Sequence, residues 1–499
     1  MLNSRIFVIS SRFSSSFTSP LLPKGALAYI NGFWVSAEKK KTFDVHNPYT
    51  GGLLCKTVNC DVYEAEKAVT AAKEAFKKWS VETTPKQRGA LLRKWYDILV
   101  EKEQQLAHLL TLEQGKPLAE ARGEIQYSAS FLDWYAGEAR RIYGQVVSPA
   151  VLNREHTHIR EPIGVAVVIT PWNFPTAMIA RKAGAALAAG CTLIVKPAED
   201  TPLSALALAQ TAEEAGIPAG VFNVLPADRK HTAAISKYLC ENKDVDAISF
   251  TGSTAVGKIL LTQSASTVKR VCLELGGNAP FLVFDSANLD IAVKSAMVAK
   301  FRCSGQTCVA ADRFFIHKKV HDDFVTKMIN AMKHLVVGDG MSPKTTIGPL
   351  INDNAVKRME ELLKDATAKG AHVVLGGKRG KGTCFQPTLL TNVTENMDIA
   401  HTEIFGPIVA VQKFTDEESV LAAANETRSG LAGYVFSNDT NQIYRITRRL
   451  QVGMIGVNEG LMSCAEAAFG GVKESGHGRE GASQGIDNFT EWKYICIQH

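Results

Sequence analysis

An α/β fold built on a parallel sheet covered by helices on both faces is the class this sequence predicts, and three observations predict it. From residue 163 onward, short apolar runs alternate with helical stretches, the rhythm of parallel strands joined by crossover helices. Motifs carrying glycine, proline and charge fall just after those apolar runs, where sheets of this kind bind ligands. The 499-residue chain is 45% hydrophobic and 21% charged, the make-up of an ordinary globular protein. It is too long for one hydrophobic core, so about three domains or subdomains are expected.

In chain order, residues 1–24 carry Arg5, Arg12 and Lys24 with Ser10, Ser11, Ser14, Ser15 and Ser16, and no acid precedes Glu38. That is the composition of a mitochondrial transit peptide, the alternative being a disordered tail. The stretch 62–115 reads as amphipathic packing helices, with Ala65, Val69, Ala72, Ala75 and Phe76 on one face. The alternation then runs through strands at 163–170, 193–195, 221–225 and 247–250, with helices at 177–189 and 202–215 and a short helical segment before 247. After Gly277 it restarts, with a strand at 281–284 and a helix at 289–300 that leads toward Cys308. The segment 489–497, with Trp492 and Tyr494, alternates like a strand; pairing across a subunit interface and closing its own sheet are equally open.

The formal charge of +6 is small for this length, and no nucleic-acid partner is expected. The longest apolar runs fall far short of the ~20 residues that span a bilayer, so no membrane helix is expected. The ten cysteines are scattered without paired metal-ligand spacing, which fits a reducing compartment and no bound metal. Cys303 and Cys308 read as two separate reduced thiols rather than a switch disulfide.

Chemistry concentrates in a few motifs. Gly305-Gln306-Thr307-Cys308 sets a cysteine among small residues, and Glu274 in Leu273-Glu274-Leu275-Gly276-Gly277 is a candidate base, a pairing that suggests covalent catalysis. The segment Phe250-Thr251-Gly252-Ser253-Thr254-Ala255-Val256-Gly257 follows a strand and opens a helix, so its N–H groups can meet a phosphate. Its glycines are five apart, unlike the dinucleotide fingerprint, and a plain strand-to-helix turn is an equal alternative. Lys196-Pro197-Ala198-Glu199 offers an ammonium and a carboxylate at another strand end; taken alone, a solvated turn is the commoner reading. Pro171-Trp172-Asn173-Phe174-Pro175 forms a proline-fixed loop that offers the Asn173 amide to an oxyanion or to a helix cap.

With Glu403-Ile404-Phe405-Gly406-Pro407 and Phe469-Gly470-Gly471, these motifs stand in the order of the aldehyde dehydrogenase superfamily, which the chain resembles from about residue 27 to its C-terminus. The resemblance implies a Rossmann-like parallel-sheet cofactor domain (25–144 and 163–275), an α/β catalytic domain (276–470) and a small β oligomerisation extension (145–162 and 480–499). It implies Cys308 as nucleophile, with the Asn173 amide and the Cys308 N–H as oxyanion donors. Glu274 matches the base that activates the deacylating water, which favours release of a free carboxylate over transfer to coenzyme A. NAD is the implied cofactor. Trp172, Lys196, Pro197, Ala198 and Glu199 would line its site, Gly252, Ser253, Thr254, Ala255, Val256 and Gly257 its pyrophosphate, and Glu403 and Phe405 its nicotinamide riboside. Glu199 would accept from a free 2′-hydroxyl and repel a 2′-phosphate, leaving NADP as a secondary cofactor.

Arg181 and Arg302, singly, read as surface arginines. The resemblance to the succinate-semialdehyde dehydrogenase branch, which carries arginines at both positions and a serine matching Ser463, implies that the three bind a substrate carboxylate, as guanidinium forks do. The expectation is NAD-dependent oxidation of succinate semialdehyde to succinate in 4-aminobutyrate breakdown, by a homodimer or homotetramer in the mitochondrial matrix. Glutarate semialdehyde or an aminoaldehyde is the alternative substrate.

Overall fold

The computed structural model describes residues 19–22 and 24–499, so the import-segment expectation for 1–24 lies almost wholly outside the described residues. The alternation read from residue 163 onward builds the larger of two main sheets. Its strand order is Phe33–Val35, Ala28–Ile30, Phe222–Val224, Thr192–Lys196, Val165–Ile169, Ala247–Thr251, Arg270–Glu274 and Gly476–His477. The five strands from Phe222–Val224 to Arg270–Glu274 run parallel. The chain starts at the central strand Val165–Ile169, steps outward twice, then returns to the other side at Ala247–Thr251. That reversal is a topological switch point, and loops beyond the carboxyl ends on either side of it form a ligand crevice.

The helix Ala177–Ala189 shows why the helices here are hard to read by periodicity. Its alanine-rich sequence is buried at every position, Arg181 and Lys182 included, so there is no polar face to see. It packs against Leu118–Glu138 and ends at Gly190, whose φ of 101° terminates the helix in a left-handed cap. The stretch 62–115 contains three helices, Val62–Trp79, Pro85–Glu101 and Glu103–Gln114, the first two opened by capping boxes at Asp61 and Thr84. The short segment before 247 is a full helix, Arg229–Glu241.

The second sheet has seven strands in the order His372–Leu375, Thr388–Thr391, Ile408–Phe414, Ala311–His317, Ala279–Val283, Ala432–Phe436 and Met454–Val457. All pairs are parallel except the first, which is antiparallel. Residues just before three of its strands belong to the motifs: Gly276-Gly277 precede Ala279, Cys308 precedes Ala311, and Glu403 to Phe405 precede Ile408. The site is therefore assembled between the carboxyl ends of the first sheet and the amino ends of the second.

The terminal strand, Thr490–Gln498, pairs antiparallel with Arg154–Pro162 of its own chain, and Gln145–Val147 completes a three-stranded sheet. The strand thus joins a sheet of its own chain as an edge strand, and its other edge is unpaired among the described residues. The strand occupies only 490–498; Ser483–Phe489 forms 3-10 turns against the helix Ala177–Ala189. Gly476–His477 pairs with Arg270–Glu274, so residues late in the chain complete a sheet begun early in it.

Candidate active site

Cys308 lies in the loop between the helical segment ending at Gly305 and the strand Ala311–His317. Its approach is an unusual stretch of backbone: Cys303, Ser304 and Gly305 have φ of 51°, 57° and 77° in succession. Two non-glycine residues in the left-handed region persist only where the surroundings over-determine them. Here Ser304 Oγ donates to the Gly348 carbonyl at 2.8 Å, Gln306 Nε2 donates to the Cys303 carbonyl at 3.1 Å, and Ile351 N donates to Gln306 Oε1 at 2.9 Å. A Cβ at Gly305 would strike the Gly406 carbonyl, so the Cys308 loop needs its glycine to pack against the Glu403-to-Pro407 segment, while a Cβ at Gly406 would strike Met359. All ten cysteines, Cys303 and Cys308 among them, are free thiols.

The other motifs converge on this loop. A Cβ on Gly277 would strike the Cys308 carbonyl, which puts the turn after Glu274 directly against the Cys308 backbone. The Asn173 Nδ2 donates to the Gln306 carbonyl at 2.9 Å, while its Oδ1 is buried without a partner. Glu274 closes the strand Arg270–Glu274 with both carboxyl oxygens buried and unpartnered, and a Cβ on Gly470 would come within 2.8 Å of its Oε1. Burial, then the neighbouring Glu480, pushes the Glu274 carboxyl up to about 8 against the pull of Arg181, Lys182 and Arg479. Burial also drives the Cys308 thiol up to about 12, opposed by Arg181 and Arg302 and reinforced by Glu274 and Glu403. Both arginines thus favour the charged form of the Cys308 sulfur.

Arg181 is no surface arginine. It is 1% exposed, pairs through Nε with Glu480, lies over the Phe469 ring at 4.4 Å and leaves Nη2 buried without a hydrogen-bond partner among the described residues. Arg302 is half-buried over the Phe174 ring at 5.2 Å and makes no ion pair among the described residues. It lines a small cavity together with Val298, Thr307, Val309, Tyr434, Met462 and Ser463. Arg302 and Ser463 thus share one cavity wall with Thr307, the sequence neighbour of Cys308.

The cofactor-type loops lie beyond the carboxyl ends of the first sheet. Ser253 caps the helix Thr254–Ser264, whose first turn holds no acid, so the helix dipole is open to an anion. Gly257 lets that helix approach Leu275, where a Cβ would come within 2.5 Å of its side chain. Lys196 is 2% exposed rather than solvated; burial lowers its ammonium to about 8, and its Nζ donates to the Pro197 carbonyl at 2.6 Å. Ala198 is buried and Glu199 half-exposed beside it. Trp172 meets Phe405 edge-on at 5.5 Å, and Glu403 Oε1 accepts from Gly277 N at 2.9 Å. Burial raises the Glu403 carboxyl to about 7. Anion-ready N–H groups at one end, a carboxylate near Lys196, and an aromatic pair with a fixed carboxylate at the other suit a dinucleotide.

Several buried charges were not singled out from sequence. Glu480 accepts from Lys182 and pairs with Arg181 across about three hundred residues of chain. Burial pushes the Glu480 carboxyl up, but Arg181 and Lys182 outweigh it and hold the group below its ordinary value. Removing one member of such a buried pair leaves an uncompensated charge, a loss of about 3–5 kcal/mol. Lys300 donates to Asp312 at 2.9 Å, and Asp312 in turn accepts from Ile404 N at 3.3 Å, which braces the loop that carries Glu403. Nothing local in the sequence separates these residues from solvated charges.

Two sheets meeting over a cysteine, a buried carboxyl and a dinucleotide-type crevice define a two-domain α/β oxidoreductase with a covalent nucleophile. The sequence model of the aldehyde dehydrogenase family matches residues 34–495. The chain belongs to that family. It is 54% identical over 472 residues to the mitochondrial succinate-semialdehyde dehydrogenase of Mus musculus, spanning 94% of this chain and 90% of the relative. A crystal structure of succinate-semialdehyde dehydrogenase from Burkholderia pseudomallei superposes with a TM-score of 0.94 at 48% identity, over 97% of this chain and 100% of that one. The NAD+ complex of an aldehyde dehydrogenase from Bacillus cereus superposes with a TM-score of 0.92 at 36% identity, over 96% and 97%.

Proposed function

We propose that this protein oxidises succinate semialdehyde to succinate with NAD. The observation that carries the substrate class is Arg302 with Ser463 in the cavity that Thr307, next to Cys308 in sequence, also lines, a guanidinium with no carboxylate partner among the described residues. Arg181, with its unpartnered Nη2, adds a second cation facing the nucleophile. An aldehyde with a distal carboxylate satisfies both groups, and a neutral aldehyde satisfies neither.

The chemistry divides into two halves. Cys308 first gives up its thiol proton to water, with Arg181 and Arg302 favouring the thiolate, and the sulfur then forms a C–S bond with the aldehyde carbon, whose oxyanion is held by the Asn173 amide and the Cys308 N–H. The cofactor, when bound, supplies the hydride acceptor. Lys196, Glu199 and the N-terminus of Thr254–Ser264 bind and orient it, and Trp172, Glu403 and Phe405 hold its reactive end. Glu274 then takes a proton from the water that attacks the thioester; the C–S bond breaks, succinate leaves and Cys308 returns as thiolate. One water is consumed for each hydride removed.

Purified protein should form NADH far faster with succinate semialdehyde than with acetaldehyde or an aminoaldehyde, and more efficiently with NAD than with NADP. Arg302→Ala should raise KM for succinate semialdehyde by roughly tenfold or more, the scale of one lost charge-assisted contact, and leave acetaldehyde kinetics unchanged. Equal loss on both substrates would sink carboxylate recognition, and preference for glutarate semialdehyde or an aminoaldehyde would name the alternative.

Mitochondrial residence and self-association belong to the same reading. The acid-free, Arg- and Ser-containing residues 1–24 support import. Exposed Val146, Trp492, Tyr494 and Ile497 on the three-stranded sheet support a homodimer or homotetramer built through 145–162 and 480–499. Fused to a fluorescent reporter, residues 1–24 should direct it to mitochondria; a cytosolic reporter would reject the import reading.

A further inference from the structure

The loop that carries Asn173 and the loop that carries Cys308 are both held from outside, by one helix. In Leu118–Glu138, Glu120 and Glu124 stand four residues apart and so share a face. Glu124 Oε1 accepts from Thr176 N at 2.9 Å, Thr176 Oγ1 at 2.8 Å and Ala177 N at 3.4 Å, which fastens the end of the Asn173 loop. Its Oε2 accepts from Lys116 Nζ at 2.5 Å, and neither side chain has any exposed area. The same ammonium donates to the Asn173 carbonyl at 2.6 Å and lies over the Phe174 ring at 3.8 Å.

Glu120 works on the other loop. Its Oε2 accepts from Cys303 N at 2.8 Å, at the residue that opens the left-handed run before Cys308. Between the two carboxylates, Cys303 Sγ meets the Gln114 Nε2 at 3.3 Å and the Asn173 carbonyl at 3.5 Å, and Gln114 Oε1 accepts from Lys116 N at 3.0 Å. The loops touch directly where Asn173 Nδ2 meets the Gln306 carbonyl.

A buried ion pair is weak evidence for stability, since a well-packed apolar replacement is often as stable. What Lys116 and Glu124 supply, and an apolar pair cannot, is a set of directed bonds onto the backbone at Asn173 and just after it. Preorganised donors act on an oxyanion only if their aim is fixed before charge develops, and small misplacements are expensive in rate.

We propose that Lys116, Glu120 and Glu124 are positioning residues, a buried clamp that holds the Asn173 amide and the Cys308 loop in one register. This rests on Asn173 as oxyanion donor and Cys308 as nucleophile. The clamp touches neither substrate nor cofactor, so its loss shows in kcat and not in binding.

The test is a double-mutant cycle that pairs Lys116→Met/Glu124→Gln, in which both buried charges are removed together, with Asn173→Ala. The clamp variant should lose about 30-fold or more in kcat, with a slowed pre-steady-state burst of NADH, while KM and the NAD dissociation constant move less than ~3-fold. In the Asn173→Ala background, the same substitutions should cost less than ~3-fold, because their object is gone. Unchanged kcat in the clamp variant, or an equal loss in both backgrounds, would overturn the clamp alone. Full kcat in Asn173→Ala by itself would overturn the oxyanion role and the clamp with it. If the double substitution does not fold, the isosteric Glu124→Gln carries the same cycle, with a loss of at least ~5-fold expected in the native background and none beyond Asn173→Ala.

Discussion

Replacing Cys308 by serine lowers NADH production with succinate semialdehyde by about 10³-fold or more, with NAD affinity unchanged, because a hydroxyl at this position is not an activated nucleophile. Cys496→Ser, on the exposed face of the three-stranded sheet, retains activity and serves as the control. Stopped-flow NADH absorbance and a separate NAD titration measure the two quantities. Burial holds the Cys308 thiol near 12 in the free protein, so alkylation at this residue should climb steadily as pH rises through the alkaline range. Substantial turnover by the serine variant would move the covalent step to another residue.

The second large effect belongs to Glu274. Glu274→Gln keeps the rapid first burst of NADH but slows steady-state turnover by about 10²–10⁴-fold, the range for loss of a general base. The thioester then accumulates on Cys308 and is visible by mass spectrometry of the intact protein. The pH dependence has a definite sign. Glu274 works deprotonated and its carboxyl is raised to about 8, so steady-state turnover rises with pH across neutrality and levels off above that value. In the glutamine variant this rising limb disappears. A variant that turned over at the normal rate, with the normal pH profile, would remove Glu274 from deacylation.

The strand and helix alternation after residue 163 was legible because each strand is a short apolar run bounded by turn residues, and burial on both faces makes such runs continuous. Cys308, Glu274 and Asn173 were legible as chemistry because their neighbours are glycines and prolines, whose roles are local. The charged residues divide differently. Lys196 read alone as a solvated turn and Arg181 as a surface arginine, and each is almost fully buried. The rule that charges stay outside fails where a partner arrives from elsewhere in the chain: Lys182 meets Glu480 298 positions away, and Lys116 reaches Asn173 57 positions away. Pairing over such distances leaves no trace in spacing. The same limit left the terminal strand undecided, since alternation names a strand without naming its neighbour.

The first sheet is edged by Gly476–His477, and Arg154–Pro162 is closed by Thr490–Gln498, with Arg160 and Asp487 in contact 327 residues apart. Protein synthesis proceeds from one end, so neither closure can form until residues 476–498 have left the ribosome. The early strands must wait, their edges unpaired, and the cost of joining such remote segments makes this a late event in folding. Until then the chain carries unpaired strand edges and exposed apolar surface, the condition in which a folding chain is prone to aggregate. Glu274 sits on the strand that Gly476–His477 completes, so its surroundings are assembled only when the C-terminal segment docks.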